Sequence, residues 1–252
     1  LMEYHPPPLL PLSNVLESFA TKHKEMFEPK WIDSVVHCLE QEKESPYGPR
    51  CIGFLFAFIP STNNEIQSKL ISFLIVSLQS DDAKMRWNAA AAFSNAFSYG
   101  AKSVEAISLL TRYIESDKVA KVKIRSAEAL SKVSVRENTG DLYHQIFVAT
   151  LNQLLSPDHF TNLPLQTHRK YNVAYRIALT KLFFKLLDWS KASDFTSLEE
   201  PLVNNVDAIF DLMVEVENRN KPKEEEEENE TPQIKNKNDG DNENLIEDDD
   251  NM

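Results

Sequence analysis

The chain has 252 residues and a formal net charge of −12, from 27 Lys and Arg against 39 Asp and Glu. Its five Gly argue against a turn-rich β fold and against glycine-rich phosphate loops. No apolar run reaches the roughly 20 residues of a spanning helix, and no secretory leader is recognisable, so the reading is a protein of the cytoplasm and/or nucleus with no membrane partner. The sequence begins at Leu1, which suggests a fragment of a longer protein.

Residues 1–12 hold four Pro and no helical period, and read as an extended lead-in. Ser13 is then expected to cap a helix over 14–27. A helix over 30–41 follows, with Trp31, Val35 and Leu39 on one side. The prolines of 46–49 are expected to break the chain before a partner helix over 50–59, which Pro60 stops. Cys38 and Cys51 both fall on apolar helix faces, as small core residues of a reducing compartment do.

A strongly apolar helix over 65–78 leads to an Ala-rich one over 85–97, ended at Gly100. Ser103 caps a helix over 104–114, and its partner is expected over 119–135. Residues 142–155 and 165–187 read as a further pair, and a last amphipathic helix covers about 203–216. From 218 to 252 the chain carries 13 acids and 5 bases, so −8 of the −12 lies there and −4 on the body. With almost no apolar residues, this acidic tail is expected to be disordered.

One spacing recurs. Counting from Met85, a base stands at +1 (Arg86), small residues at +4 and +7 (Ala89, Ala92), and further apolar residues at +8 and +11 (Phe93, Ala96). The pattern returns 37 residues later as Val122, Lys123, Ser126, Ala129, Leu130 and Val133. It stands 36 residues earlier as Pro49, Arg50, Gly53, Phe56, Ala57 and Pro60. A fourth copy, Tyr171, Asn172, Tyr175, Ala178, Leu179 and Leu182, needs an insertion. An apolar residue, a base and small residues at these offsets resemble the second helix of a HEAT repeat. A period of this size indicates stacked helix pairs. The fold expected is all-α: a HEAT/armadillo-like α-solenoid of about four helix pairs over 13–217.

The run from Met85 through AAAAFSNAF, with KVKIRSAEALS at 121–131 and RENTGDLYHQIFVATLNQLL at 136–155, resembles the C-terminal region of the HEAT-repeat-containing protein 6 family. The resemblance covers about 65–187. It implies a long α-solenoid and carries no catalytic residues with it. Pro49, Pro60 and Tyr175 depart from the HEAT pattern, which marks the first and fourth copies as distorted or capping repeats.

No GxSxG, HExxH, P-loop or GxGxxG is present, and the six His show no metal spacing, so no enzyme, cofactor or small-molecule substrate is read from the chain. The bases at +1 are expected to pair with acids between adjacent units. Trp87 and Asn88 are adjacent, so their side chains point about 100° apart on a helix. They read as a packing residue and an internal hydrogen-bonding one rather than a peptide-holding pair. Curved solenoids bind other proteins on extended faces, and the function expected is a non-catalytic scaffold or adaptor. Its partner-binding residues would lie along the second helices: Arg86, Asn88, Asn95, Lys123, Arg125, Lys132, Arg169, Lys170 and Arg176. Two alternatives are a karyopherin-type transport receptor and a nucleic-acid-associated solenoid using the basic strip over 121–176. The body is not a basic nucleic-acid binder by composition, its charge gives no strong steer either way, and nucleic acid is not the partner expected. The tail is a candidate to fold back on the basic strip by opposite charge.

Overall fold

The computed structural model describes residues 8–60, 63–156, 159–194, 198, 200, 202–211 and 214. The chain divides into two compact units, Leu1–Phe210 and Asp211–Met252, and of the second only Asp211 and Val214 are described. The expected disordered tail and residues 1–7 of the lead-in therefore lie outside the described residues. So does the end of the helix expected over 203–216, of which residues 206–211 are helical.

Every described element is a helix. The first, α1 (Leu9–Lys22), begins earlier than the prolines suggested. Pro8 stands just before it with φ −59° and already sets the chain for a helical turn. Ser13 is consequently no cap. It is buried inside the helix, and its hydroxyl donates to the carbonyl of Leu10 at 2.8 Å. A short 3₁₀ turn, Lys24–Met26, leads to α2 (Trp31–Gln41), which buries Ile32, Val35, Cys38 and Leu39. Phe19, Phe27, Trp31 and Phe58 form one aromatic cluster here, with Phe27 stacked on Phe58 at 3.9 Å between centroids. Helix α3 (Gly48–Leu55) contains Pro49 in its first turn. Proline is tolerated there because the first N–H groups of a helix have no partner to lose, so Pro49 starts the helix rather than breaking the chain before it.

Next come α4 (Asn64–Leu78) and α5 (Ala83–Ser98), capped by the side chains of Asn63 and Asp82. Gly100 follows at φ +86°, a left-handed conformation that glycine adopts without strain. Ser103 caps α6 (Val104–Ser116), accepting from the Ala106 N–H. Helix α7 (Ala120–Leu130) is shorter than its pattern suggests. Its end tightens through i to i+3 bonds from Lys132 to Ala129 and from Val133 to Leu130, and a 3₁₀ stretch, Arg136–Leu142, turns at Gly140. Helices α8 (Tyr143–Leu155) and α9 (Leu165–Asp188) complete the set.

The packing is serial. Helix α1 lies on α3, α3 on α5, α5 on α7 and α7 on α9, so the odd-numbered helices form one row. Helices α4, α6 and α8 each lie against α5, α7 and α9 respectively, and touch one another more lightly as a second row. The repeated stripe is the face that this arrangement buries. Ala89, Ala92, Phe93 and Ala96 of α5 are fully or almost fully buried, as are Ser126, Ala129, Leu130 and Val133, and Tyr175, Ala178, Leu179 and Leu182. Small residues set the spacing: a β-carbon on Gly53 would stand 2.9 Å from the Ala92 Cα.

Tyrosines link the pairs. The Tyr113 hydroxyl of α6 donates to the carbonyl of Leu78 at the end of α4, and that of Tyr175 on α9 to Ile114 near the end of α6. Tyr143 of α8 donates to Leu186 of α9 at 2.8 Å. The Leu78 and Ile114 carbonyls belong to last turns, which lack intrahelical donors, while the Leu186 carbonyl also accepts from the Trp189 N–H. Burial holds the Tyr175 phenol protonated well above its usual range. At the far end Arg136 forks onto Asp194, donates to the Trp189 carbonyl and lies 3.8 Å above the Tyr143 ring centroid. The Arg136 guanidinium, helped by the Lys191 N–H, holds the Asp194 carboxyl well below the usual carboxylate range.

Three outcomes are expected in denaturant and thermal melts. Gly53→Val lowers stability by about 3 kcal/mol through overpacking against Ala92, whereas Gly53→Ala loses less because alanine's helix preference, about 1 kcal/mol, offsets part of the clash. Ser126→Ala is neutral or stabilising by about 1 kcal/mol, because its buried hydroxyl has no hydrogen-bond partner among the described residues. Asp194 has a lowered folded-state pKa, so its contribution is complete above the unfolded carboxylate range and drains away as pH falls through that range and below. The melting difference between wild type and Asp194→Asn is thus largest near neutral pH and closes in acid; a difference independent of pH would contradict it.

Candidate binding groove

Beside the buried stripe, the next columns of side chains on the odd-numbered helices face a common depression of about 700 Å³. Helix α5 forms its centre. Ala91 and Ala92 floor it, and Trp87, Asn88 and Asn95 rise around them. From α3 come Arg50, Gly53 and Phe54, and from α1 Glu17. From α7 come Lys121, Ile124, Arg125 and Glu128, and from α9 Lys170, Tyr171 and Ala174. Alanines and glycine make the floor low, and long or aromatic side chains make the rim high.

Ion pairs and ring contacts hold the rim. Arg50 donates to Glu17 at 2.6 Å, and Arg125 to Glu128 at 2.7 Å. The Lys121 ammonium lies 4.6 Å from the Trp87 ring centroid, within cation–π range, so Trp87 packs against the neighbouring helix. The Asn88 amide donates to the Pro46 carbonyl at 2.8 Å and ties α5 to the loop before α3. Asn95 is half-buried, and its side-chain amide has no hydrogen-bond partner among the described residues.

Of the nine residues proposed from sequence for partner binding, the groove brings together Asn88, Asn95, Arg125 and Lys170. Arg86, Lys123, Lys132, Arg169 and Arg176 are not among its lining. Arg86 forks onto Asp117 at 2.9 Å and also donates to the carbonyls of Ser80 and Asp81. Its exposure is 16% and that of Asp117 5%. This is the ion pair between adjacent units expected of the +1 bases, though Arg86 meets the acid of the following pair as well as the loop before its own helix. Arg50, the +1 base of the first copy, pairs with Glu17 of α1. Lys123 is half-buried, donates to the Glu115 carbonyl and to Gln153 Oε1, and burial lowers its pKa. Lys132 and Arg169 are exposed, and Arg176 is half-buried.

Sequence reasoning missed Glu17, Phe54, Glu128 and Tyr171, gave Arg50 only a pairing role between units, and held Lys121 only as part of the basic strip. Helical phase carries the signal for several of them. On α5 and α7 the groove takes template offsets +2, +3 and +6, which are Trp87, Asn88 and Ala91 and then Ile124, Arg125 and Glu128. The base at +1 lies about 200° from the residue at +3.

Among the described residues no group of three or more His, Cys, Asp and Glu is placed to hold a metal ion, and no helix is long and apolar enough to cross a membrane. No family model matches the chain, and no solved structure matches it.

Asp117→Ala is expected to destabilise the fold by about 3 kcal/mol in urea melts, because it strands a largely buried guanidinium. Asp117→Asn should lose less, since it keeps an acceptor for the Val119 N–H that Asp117 Oδ1 now binds. Equal loss in both variants would assign the effect to charge alone.

Proposed function

We propose that the chain is a HEAT/armadillo-type α-solenoid acting as a non-catalytic scaffold or adaptor, with the groove along its odd-numbered helices as the surface that binds other proteins. Serial packing in two rows supports the solenoid, because each pair touches its neighbours in chain order. The resemblance of 65–187 to the HEAT-repeat-containing protein 6 family points the same way, as does the buried repeat of small residues at +4 and +7.

One observation carries the functional part: a single groove is lined in turn by α1, α3, α5, α7 and α9. Ligand sites for small molecules are mostly apolar pockets with a few polar groups. Here charged and amide side chains alternate with rings along the row, as in a surface that reads another chain. A scaffold of this kind works in the cytoplasm and/or nucleus.

The test is affinity capture from lysate with the full chain, with and without nuclease, beside the double variant Arg125→Glu, Lys170→Glu. A discrete set of proteins, indifferent to nuclease and lost in the variant, is the expected result. Retention of every captured protein by the variant would overturn the groove assignment, and loss on nuclease treatment would transfer the function to nucleic acid.

A further inference from the structure

We propose that the groove takes an extended acidic segment of a partner protein, its carboxylates seated on Lys121 and Lys170 and its backbone bonded by the Asn95 amide. The inference rests on the scaffold reading above and deepens it.

Charge complementarity carries the argument. Six charged side chains line the groove, and four of them are matched: Glu17 with Arg50, and Glu128 with Arg125. Both acids are thereby engaged. Among the described residues Lys121 meets only the face of Trp87, and Lys170 has no ion pair. The lining thus keeps a surplus of two positive charges on adjacent helices, α7 and α9. Between them and α3, Asn95 offers an unengaged donor and an unengaged acceptor on one side chain, the complement of a peptide unit. A ligand meeting all three groups brings carboxylates and a backbone amide together.

Length selects an extended chain. Packed helices lie roughly 8–10 Å apart, so a groove crossing five of them in sequence runs roughly 30–40 Å. At about 3.3 Å per residue, an extended segment of roughly ten residues spans it. The rings of Phe54, Trp87 and Tyr171 give such a segment apolar walls between the charges. A nucleic acid fits less well. Its binders commonly neutralise about six to ten phosphates, against two unmatched cations here, and the body outside the tail carries −4.

Fluorescence anisotropy on the full chain tests the proposal, with a fluorescein-labelled twelve-residue peptide of alternating Glu and Ser as probe. A Lys–Ser peptide and a twelve-nucleotide thymidine strand are the comparators. The Glu–Ser peptide should bind, and the Lys–Ser peptide should not. Replacing both lysines, Lys121→Gln with Lys170→Gln, should weaken binding by about tenfold or more, and Asn95→Ala by about fivefold, the scale of one or two lost polar contacts. Lys132→Gln, outside the groove, should leave the affinity unchanged, and circular dichroism melts of all variants should match wild type. Equal binding of the Lys–Ser peptide, or an unaltered affinity in the double lysine variant, would overturn the proposal. Tighter binding of the thymidine strand would overturn it in favour of nucleic acid. If Arg125→Glu, Lys170→Glu abolishes protein capture while the acidic peptide fails to bind, the acidic class alone falls and the scaffold reading stands.

Discussion

The close approach of neighbouring helices at their small-residue faces governs the rest of the structure. Where α3 meets α5, a β-carbon on Gly53 would stand 2.9 Å from the Ala92 Cα, closer than real side chains come. Backbones this near leave no room for bulk between them, so bulk moves to the columns on either side. On one side it becomes core: Phe93 and Phe97 of α5 are buried with ring centroids 5.4 Å apart. On the other it becomes the rim of the groove, with Trp87 and Phe54 standing over a floor of Ala91 and Ala92. The depression is thus the solvent side of the contact that brings the helices together.

Directional bonds then fix how successive pairs sit. Area burial between helices is non-directional, and helices of similar faces can slide or rotate. The phenols of Tyr113 and Tyr175 remove that freedom by reaching carbonyls of last turns in the preceding pair. Arg86 does the same through Asp117, with both side chains largely withdrawn from water. Each hydrogen bond contributes only about 1 kcal/mol net, yet leaving such a carbonyl buried and unmatched costs up to about 3. These contacts therefore discriminate between registers more than they add to total stability.

Much of this architecture was legible in the residues. The stripe at +4, +7, +8 and +11 is the buried face in α5, α7 and α9, because a helix repeats every 3.6 residues whatever lies around it. The cap at Ser103 and the helix end at Gly100 were readable for the same local reason. Misreadings arose where tertiary context decided the outcome. Ser13 looks like a cap beside prolines, but its helix starts at Leu9 and buries it. The tail of the α7 pattern past Leu130 is apolar enough for a helix, yet the chain turns there toward Gly140. Of the polar residues sought along the second helices, four line the groove, and the phase among them was not resolved. On α5 the +1 residue, Arg86, meets the neighbouring unit's loop while +3 and +6 face the depression, whereas on α3 the +1 residue, Arg50, lines it. The tyrosine bonds join residues 35 and 61 apart, a separation that no local pattern encodes.

The two thiols give the row an internal clock. Cys51 is fully buried, its Sγ–H directed to the Leu9 carbonyl of α1 at 3.4 Å, and burial pushes its pKa up to about 12. Its alkylation requires an opening that admits water, and separation of α1 from α3 is one such opening. Cys38 on α2 is almost as deeply buried and stands near enough to raise the Cys51 pKa further. Alkylation of either thiol under native conditions therefore reports openings at the start of the row, around α1, α2 and α3. A groove that begins at Glu17 on α1 is whole only while that helix is closed.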